Sequence, residues 1–313
     1  MLGITALVSA EVIYACRETA VDLNNFVPFS EFQPDDKLCA WSAIWRELIL
    51  RKEVEVDKLV VVAGGDCYNA LVDGEKIELS GMPTLYFIYS FNRDIRLMEE
   101  NLDSLAEFAG GIKNEEAFGE IADLKQRAME VDSLRTEGKL SSIKAFEIEI
   151  SGSDLMGSPD KYGKAIEAIE EEEVDFDYRV AILGIPPIYR DFHEFLQSIG
   201  LHVAYDEMPF EFIRHSGRNL GEVAESYVNY TFAGNIWRRM EFVERQLKER
   251  KIDAIIHFQQ FSCHHKLEDI ILRERFADRE GYPYITIEAD LPGSTPEQAR
   301  LRLEAFAERL AGV

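Results

Sequence analysis

Short runs of consecutive apolar residues recur along this chain, and most of them end at glycine, proline or a polar turn. Leu59-Val60-Val61-Val62-Ala63 runs into Gly64-Gly65, and Thr84-Leu85-Tyr86-Phe87-Ile88-Tyr89 is a second such run, rich in aromatic residues. Continuous apolar runs of this length suit strands of a parallel sheet covered on both faces. Between Pro34 and Lys52 the pattern changes. Leu38, Trp41, Ile44, Trp45 and Leu48 recur at helical spacing, which predicts a helix that Asp35 or Asp36 can cap.

The alternation returns near Tyr178. Arg179–Leu183, Leu201–Tyr205, Asp253–Phe258 and Tyr284–Glu288 read as strands. Phe192–Ile199 reads as a helix ended by Gly200, and Thr295-Pro296-Glu297-Gln298 as the capping box of the last helix. Strands alternating with helices at this spacing imply parallel sheets with right-handed crossovers. From about Asn92 to Glu173 the chain is mostly polar and helical. It has a Ser158-Pro159 helix start and a Glu171-Glu172-Glu173 run best read as a solvated face. The expected fold class is therefore α/β. Two Rossmann-like parallel-sheet domains, residues 1–95 and 178–313, are joined by a helical segment, residues 96–177.

Composition narrows the function. A chain of 313 residues favours more than one core, as the pattern already suggests. Its 34 Lys+Arg against 58 Asp+Glu give a net charge of −24. That charge argues against nucleic acid, whose phosphates need a basic face, and against anionic lipid surfaces. No apolar run has the length of a membrane span. The apolar start has no basic region before it and is interrupted by Glu11, so it reads as folded protein rather than a signal peptide. Four cysteines form no disulfide scaffold, which points to reduced thiols and a cytoplasmic setting.

The cysteines are the candidate chemistry. Cys16, Cys39, Cys67 and Cys263 are widely separated, with no pair at the spacing of a zinc finger or ferredoxin. Cys67 and Cys263 each follow a predicted strand at its carboxyl end, in polar loops, and Cys39 sits near a helix start. Ligands bind outside the carboxyl ends of strands in open α/β sheets, and helix starts favour negative charge. These three thiols can thus converge on one crevice. A single buried cysteine is more often a small core residue, and Cys16, within Val12-Ile13-Tyr14-Ala15-Cys16, fits that role best. His264 and His265 are further candidate ligands, for zinc among others. Adjacent residues diverge, so at most one is expected to share the site with Cys263. His257, inside a strand, reads as a hydrogen-bonded core residue.

The second block resembles the 2-hydroxyacyl-CoA dehydratase and benzoyl-CoA reductase family. The similarity runs through Val180–Pro186, Ile199–Asp206, Tyr227–Arg245, Lys251–Ile256, Cys263, Gly281–Asp290 and Gln298–Phe306, in that order. The first block is similar more loosely, around Cys39 and Cys67. The resemblance implies tandem Rossmann-like domains holding a [4Fe–4S] cluster on three cysteines, here Cys39, Cys67 and Cys263. Cys16 as a fourth ligand would close the cluster and favour electron transfer.

The implied chemistry is one-electron reduction of a small-molecule substrate, a CoA thioester in the known members. The electron comes from an ATP-dependent iron–sulfur activator. The implied partner is a homologous second subunit or a second copy of the chain. The alternatives are a non-catalytic electron-transfer or accessory iron–sulfur subunit, and a member without a cluster. The chain is shorter than typical subunits, and Asp66 precedes the second cysteine where the family more often has Asp after it. The arginines available for CoA phosphates are Arg214, Arg218, Arg238 and Arg239.

Overall fold

The computed structural model describes residues 1–34, 38–64 and 67–312. The first sheet contains β1 (Leu2–Ile4), β2 (Ala20–Asp22), β3 (Lys58–Val62) and β4 (Thr84–Phe87). The second contains β5 (Tyr178–Gly184), β6 (Leu201–Asp206), β7 (Ala254–Gln260) and β8 (Tyr284–Ala289). Their spatial orders are β2-β1-β3-β4 and β6-β5-β7-β8, and every pairing is parallel. The two halves thus share one open, doubly wound topology, and the α/β Rossmann-like class read from the sequence is the observed one. Leu59–Val62 and all of β6 are buried, which is why these runs are apolar without alternation.

Helices α1 (Ala10–Ala15), α2 (Ala40–Leu50), α3 (Tyr68–Leu79) and α4 (Ile95–Phe108) accompany the first sheet. Helices α5 (Glu116–Glu137), α6 (Ser142–Ser151) and α7 (Pro159–Glu167) form the middle segment. Helices α8 (Phe192–Ser198), α9 (Glu207–Arg214), α10 (Leu220–Tyr227), α11 (Ile236–Glu249), α12 (Asp269–Arg273) and α13 (Glu297–Leu310) belong to the second half. The cap on α2 is Cys39. The proposed caps Asp35 and Asp36 lie outside the described residues. The capping box at 295–298 does not form: Thr295 donates both its N–H (2.7 Å) and its hydroxyl (2.8 Å) to Asp191 Oδ1, so Pro296 caps α13 without a side-chain bond.

The middle helices are more than a spacer. Lys125 on α5 is buried and donates to Glu11 Oε1 (2.8 Å) on α1, to the His215 carbonyl (2.8 Å) and to Tyr227 Oη (3.1 Å) on α10. One ammonium therefore ties the first half, the middle segment and the second half together. Where the middle segment meets the second half, buried Arg135 on α5 donates to Asp132 (2.5 Å), Glu149 on α6 (2.6 Å) and Asp206 at the end of β6 (2.9 Å). Arg250 makes a two-pronged pair with the same Asp132. The arginines hold Asp132 well below the usual carboxylate range, while burial pushes Glu149 well above it. Middle segment and second sheet are thus joined by charge as well as by packing.

Candidate functional site

In each sheet the strand order reverses between two neighbouring central strands, β1 and β3 in the first, β5 and β7 in the second. At such a switch point the connections leave in opposite directions and open a crevice at the carboxyl ends of the strands. Here both crevices face one cavity of about 740 Å³. Ala6 beyond β1, Asp22 at the end of β2, Cys67 beyond β3, Ile185 beyond β5 and Cys263 beyond β7 all line it. Gly184 makes the turn out of β5: its φ is +98°, and a Cβ there would fall 2.4 Å from the Phe258 carbonyl oxygen. Only glycine lets the chain turn so close to its neighbour and deliver Ile185, Pro186 and Pro187 to the cavity wall.

Cys39, Cys67 and Cys263 line this single cavity. Each occupies the cap position preceding a helical segment: Cys39 before α2, Cys67 before α3, and Cys263 before the 3₁₀ turn His264–Glu268. At the second of these positions the Ala70 N–H donates to Cys67 Sγ at 3.4 Å. Burial pushes the Cys39 thiol up, opposed by the nearby backbone N–H groups of Ser42 and Trp41. A soft metal centre would remove that thiol proton outright. The Trp41 indole Nε1, in the same wall, is buried without an acceptor among the described residues. Thiolate donors, helix starts and an orphaned N–H fit an anionic sulfur-rich group. Among the described residues no three His, Cys, Asp or Glu side chains are gathered closely enough to hold a single metal ion.

Cys16 lies elsewhere. It caps the carboxyl end of α1, is fully buried in the first core, and its thiol donates to the Ala106 carbonyl at 3.5 Å. It does not line the cavity. Both His264 and His265 do line it, contrary to the expectation that adjacent residues diverge. The tight 3₁₀ turn keeps their rings 4.0 Å apart, and His265 Nδ1 is held by Glu268 at 3.1 Å. His257 is a buried strand residue whose Nδ1 meets Asp269 at 2.7 Å.

Two further polar groups stand in the wall, beyond the residues that the sequence singled out. His193, on α8 just beyond the β5 turn, is 5% exposed, and its Nε2 contacts both oxygens of Asp206 at 3.0 and 3.2 Å. With Nε2 tied to Asp206, which Arg135 holds in turn, Nδ1 is the nitrogen left to exchange a proton. The strand-end logic applied to the cysteines would have flagged this histidine. The second group is a carboxyl pair. The Asp22 N–H donates to Asp154 Oδ2 at 2.9 Å, and Asp22 Oδ1 accepts from the N–H (3.0 Å) and side-chain amide (3.1 Å) of Asn24. Burial, then the Asp154 charge, pushes the Asp22 carboxyl up to about 7. Their pairing spans the first sheet and the loop after α6, so no local pattern announces it.

This pair has a measurable consequence. A folded-state value above the unfolded value of about 4 means that the fold binds a proton the unfolded chain has released. Asp22 therefore favours folding at low pH, and that contribution is lost as pH rises from about 4 to about 7. Asp22→Asn keeps the acceptor oxygen and removes the titration. The variant is expected to gain in melting temperature relative to the parent between pH 5 and pH 8. A difference that stays constant across that range would exclude the assignment.

A tandem pair of open parallel sheets facing one three-thiol cleft defines the class of protein. The chain belongs to the 2-hydroxyglutaryl-CoA dehydratase, D-component family, whose model matches residues 94–310. The match takes in Cys263 and begins beyond Cys39 and Cys67. Among curated proteins the chain is similar to the (R)-phenyllactyl-CoA dehydratase beta subunit of Clostridium sporogenes. The two are 26% identical over 154 residues, covering 46% of this chain and 41% of that protein. The chain thus spans well under half the length of that relative. No helix among the described residues is long and apolar enough to cross a membrane.

Proposed function

We propose that the chain is an iron–sulfur subunit of a 2-hydroxyacyl-CoA dehydratase or benzoyl-CoA reductase-like enzyme, with a [4Fe–4S] cluster on Cys39, Cys67 and Cys263. The observation that carries the reading is the meeting of three cysteines from three helix starts on one cavity at two switch points. Bound there, the cluster supplies one-electron reducing chemistry. The chain's own residues do the rest. Phe26, Phe29, Phe146, Phe212 and Ile150 give the cavity apolar walls that exclude water and suit an acyl chain. His193, oriented by Asp206, takes or gives a proton at Nδ1. Asp22 is a second proton store in the same wall.

The substrate is a CoA thioester or related small acyl compound, and the electron comes from an ATP-dependent iron–sulfur activator. The working partner is a homologous second subunit or a second copy. The relative being a beta subunit supports this, as do Tyr68 (66% exposed), Leu267 (74%) and Ile270 (74%). The N-terminal turn of α3 bearing Tyr68 is joined to the loop after β7 by an Asn69 side-chain bond to the Ser262 carbonyl (3.0 Å). Reduced thiols and an oxygen-sensitive group suit the cytoplasm.

The test is anaerobic purification followed by iron and acid-labile sulfide analysis. About four irons and four sulfides per chain are expected, as purified or after reconstitution. Colourless protein without iron after reconstitution would overturn the proposal.

A further inference from the structure

A second cavity, of about 630 Å³, shares no lining residue with the first. Its wall carries four arginines, Arg93, Arg214, Arg238 and Arg245, together with Ser226, Asn229 and Thr231. In a chain of net charge −24 this is an uncommon gathering, because arginines among excess carboxylates are neutralised singly.

The local carboxylates do not balance the group. Arg214 is committed, with Nε and Nη2 each donating to Glu211 at 2.7 Å. Glu211 also contacts His215 Nε2 (3.0 Å) and accepts from the Thr231 N–H (3.1 Å), so its acceptor capacity is filled. Among the described residues, Arg93, Arg238 and Arg245 form no ion pair, and Glu241 is the one carboxylate in the cavity wall. Burial, then the charges of Arg238 and Arg214, lowers the proton affinity of Arg93, against the opposing charges of Glu211 and Glu241.

The cleft is built by the backbone. Arg93 has a φ of +55°, and its turn is held by Ser90, whose carbonyl accepts from the Arg93 N–H (3.2 Å) and whose Oγ accepts from the Asp94 N–H (3.1 Å). The opposite wall presses against this loop at Gly234, where a Cβ would lie 3.0 Å from the Phe91 carbonyl oxygen.

Guanidinium forks match phosphate oxygens in pairs, and several converging forks match more than one phosphate. We infer that the arginine cleft binds the phosphate groups of a small molecule carrying at least two of them. The inference is independent of the cluster reading, because it uses none of the cysteine-cavity residues. The phosphates could be those of free diphosphate, of a nucleoside diphosphate or of a CoA thioester.

The test is calorimetric titration of the full chain with inorganic pyrophosphate at low and high salt. Wild type is expected to bind saturably and more weakly at high salt. Arg93→Gln/Arg238→Gln/Arg245→Gln is expected to bind at least tenfold more weakly. The milder Arg238→Gln/Arg245→Gln, at two exposed side chains, is expected to move in the same direction while keeping the fold. Arg218→Gln, whose parent side chain is exposed and pairs with Asp123, is expected to bind as wild type does. Parallel titrations with ADP and CoA identify the source: a large gain for CoA over ADP marks the coenzyme, whose 3′-phosphate and pantetheine arm ADP lacks, and equal affinities mark the shared diphosphate. No saturable binding to wild type, or wild-type affinity in both multiple variants, overturns the inference.

Discussion

Anaerobically reconstituted Cys263→Ser protein is expected to lose its visible absorbance and fall from about four irons per chain towards none. The reason lies in the donor set. A serine oxygen is a harder, more basic ligand than a thiolate and holds iron–sulfur units poorly. Cys263 is also the cysteine that the second half contributes to the cavity, so no neighbouring thiol replaces it. Cys39→Ser and Cys67→Ser are expected to behave alike. Cys16→Ala is the control: its thiol faces the Ala106 carbonyl in the first core, so iron content is expected to hold. Retained absorbance in Cys263→Ser would remove that residue from the ligand set. Lost iron in a folded Cys16→Ala protein would add a fourth.

The largest expected effect on stability is at Arg135. Its guanidinium is fully buried and bonds three carboxyl groups, on Asp132, Glu149 and Asp206. Replacing it with leucine leaves Glu149 without a cation, and leaves Asp132 to Arg250 and Asp206 to His193, in a region that water does not reach. Breaking one side of a buried charge network costs about 3–5 kcal/mol. Arg135→Leu is therefore expected to lower the thermal midpoint by many degrees or prevent accumulation of folded protein. Arg135→Lys keeps the charge but loses the fork, and is expected to fall between the two. Because Asp206 also holds His193, surviving Arg135→Lys protein is expected to shift the ring signals of His193 in NMR spectra. Near-parental stability in Arg135→Leu would show that the carboxyl groups adapt by taking up protons.

Much of this architecture is legible in the chain itself. The runs at 59–63, 179–183 and 253–258 become strands because buried parallel strands need apolar side chains on both faces, and that requirement is written locally. Cys67 and Cys263 could be placed at strand ends by the same token. The interactions that cross the fold were not legible. The Asp22–Asp154 pair, the Lys125 tie and the Arg135 network join residues far apart in sequence, and each alone looks like an ordinary charged surface residue. The capping box at 295–298 misled because its threonine is claimed by Asp191 from another loop. The two histidines at 264–265 misled because a 3₁₀ turn, not a strand or α-helix, follows Cys263.

Read alone, the sequence determined the α/β class, the two parallel-sheet halves and the three cysteines worth watching. Periodicity and strand-end position are properties of a few neighbouring residues. Only the tertiary structure decided strand order. That order, with its reversal between β1 and β3 and between β5 and β7, puts both switch points on one cavity. It brings Cys39, Cys67 and Cys263 to that cavity, leaves Cys16 in the core, and gathers four arginines into a separate cleft. Which side chains meet across a sheet depends on crossovers between segments tens to hundreds of residues apart, and no local pattern encodes those.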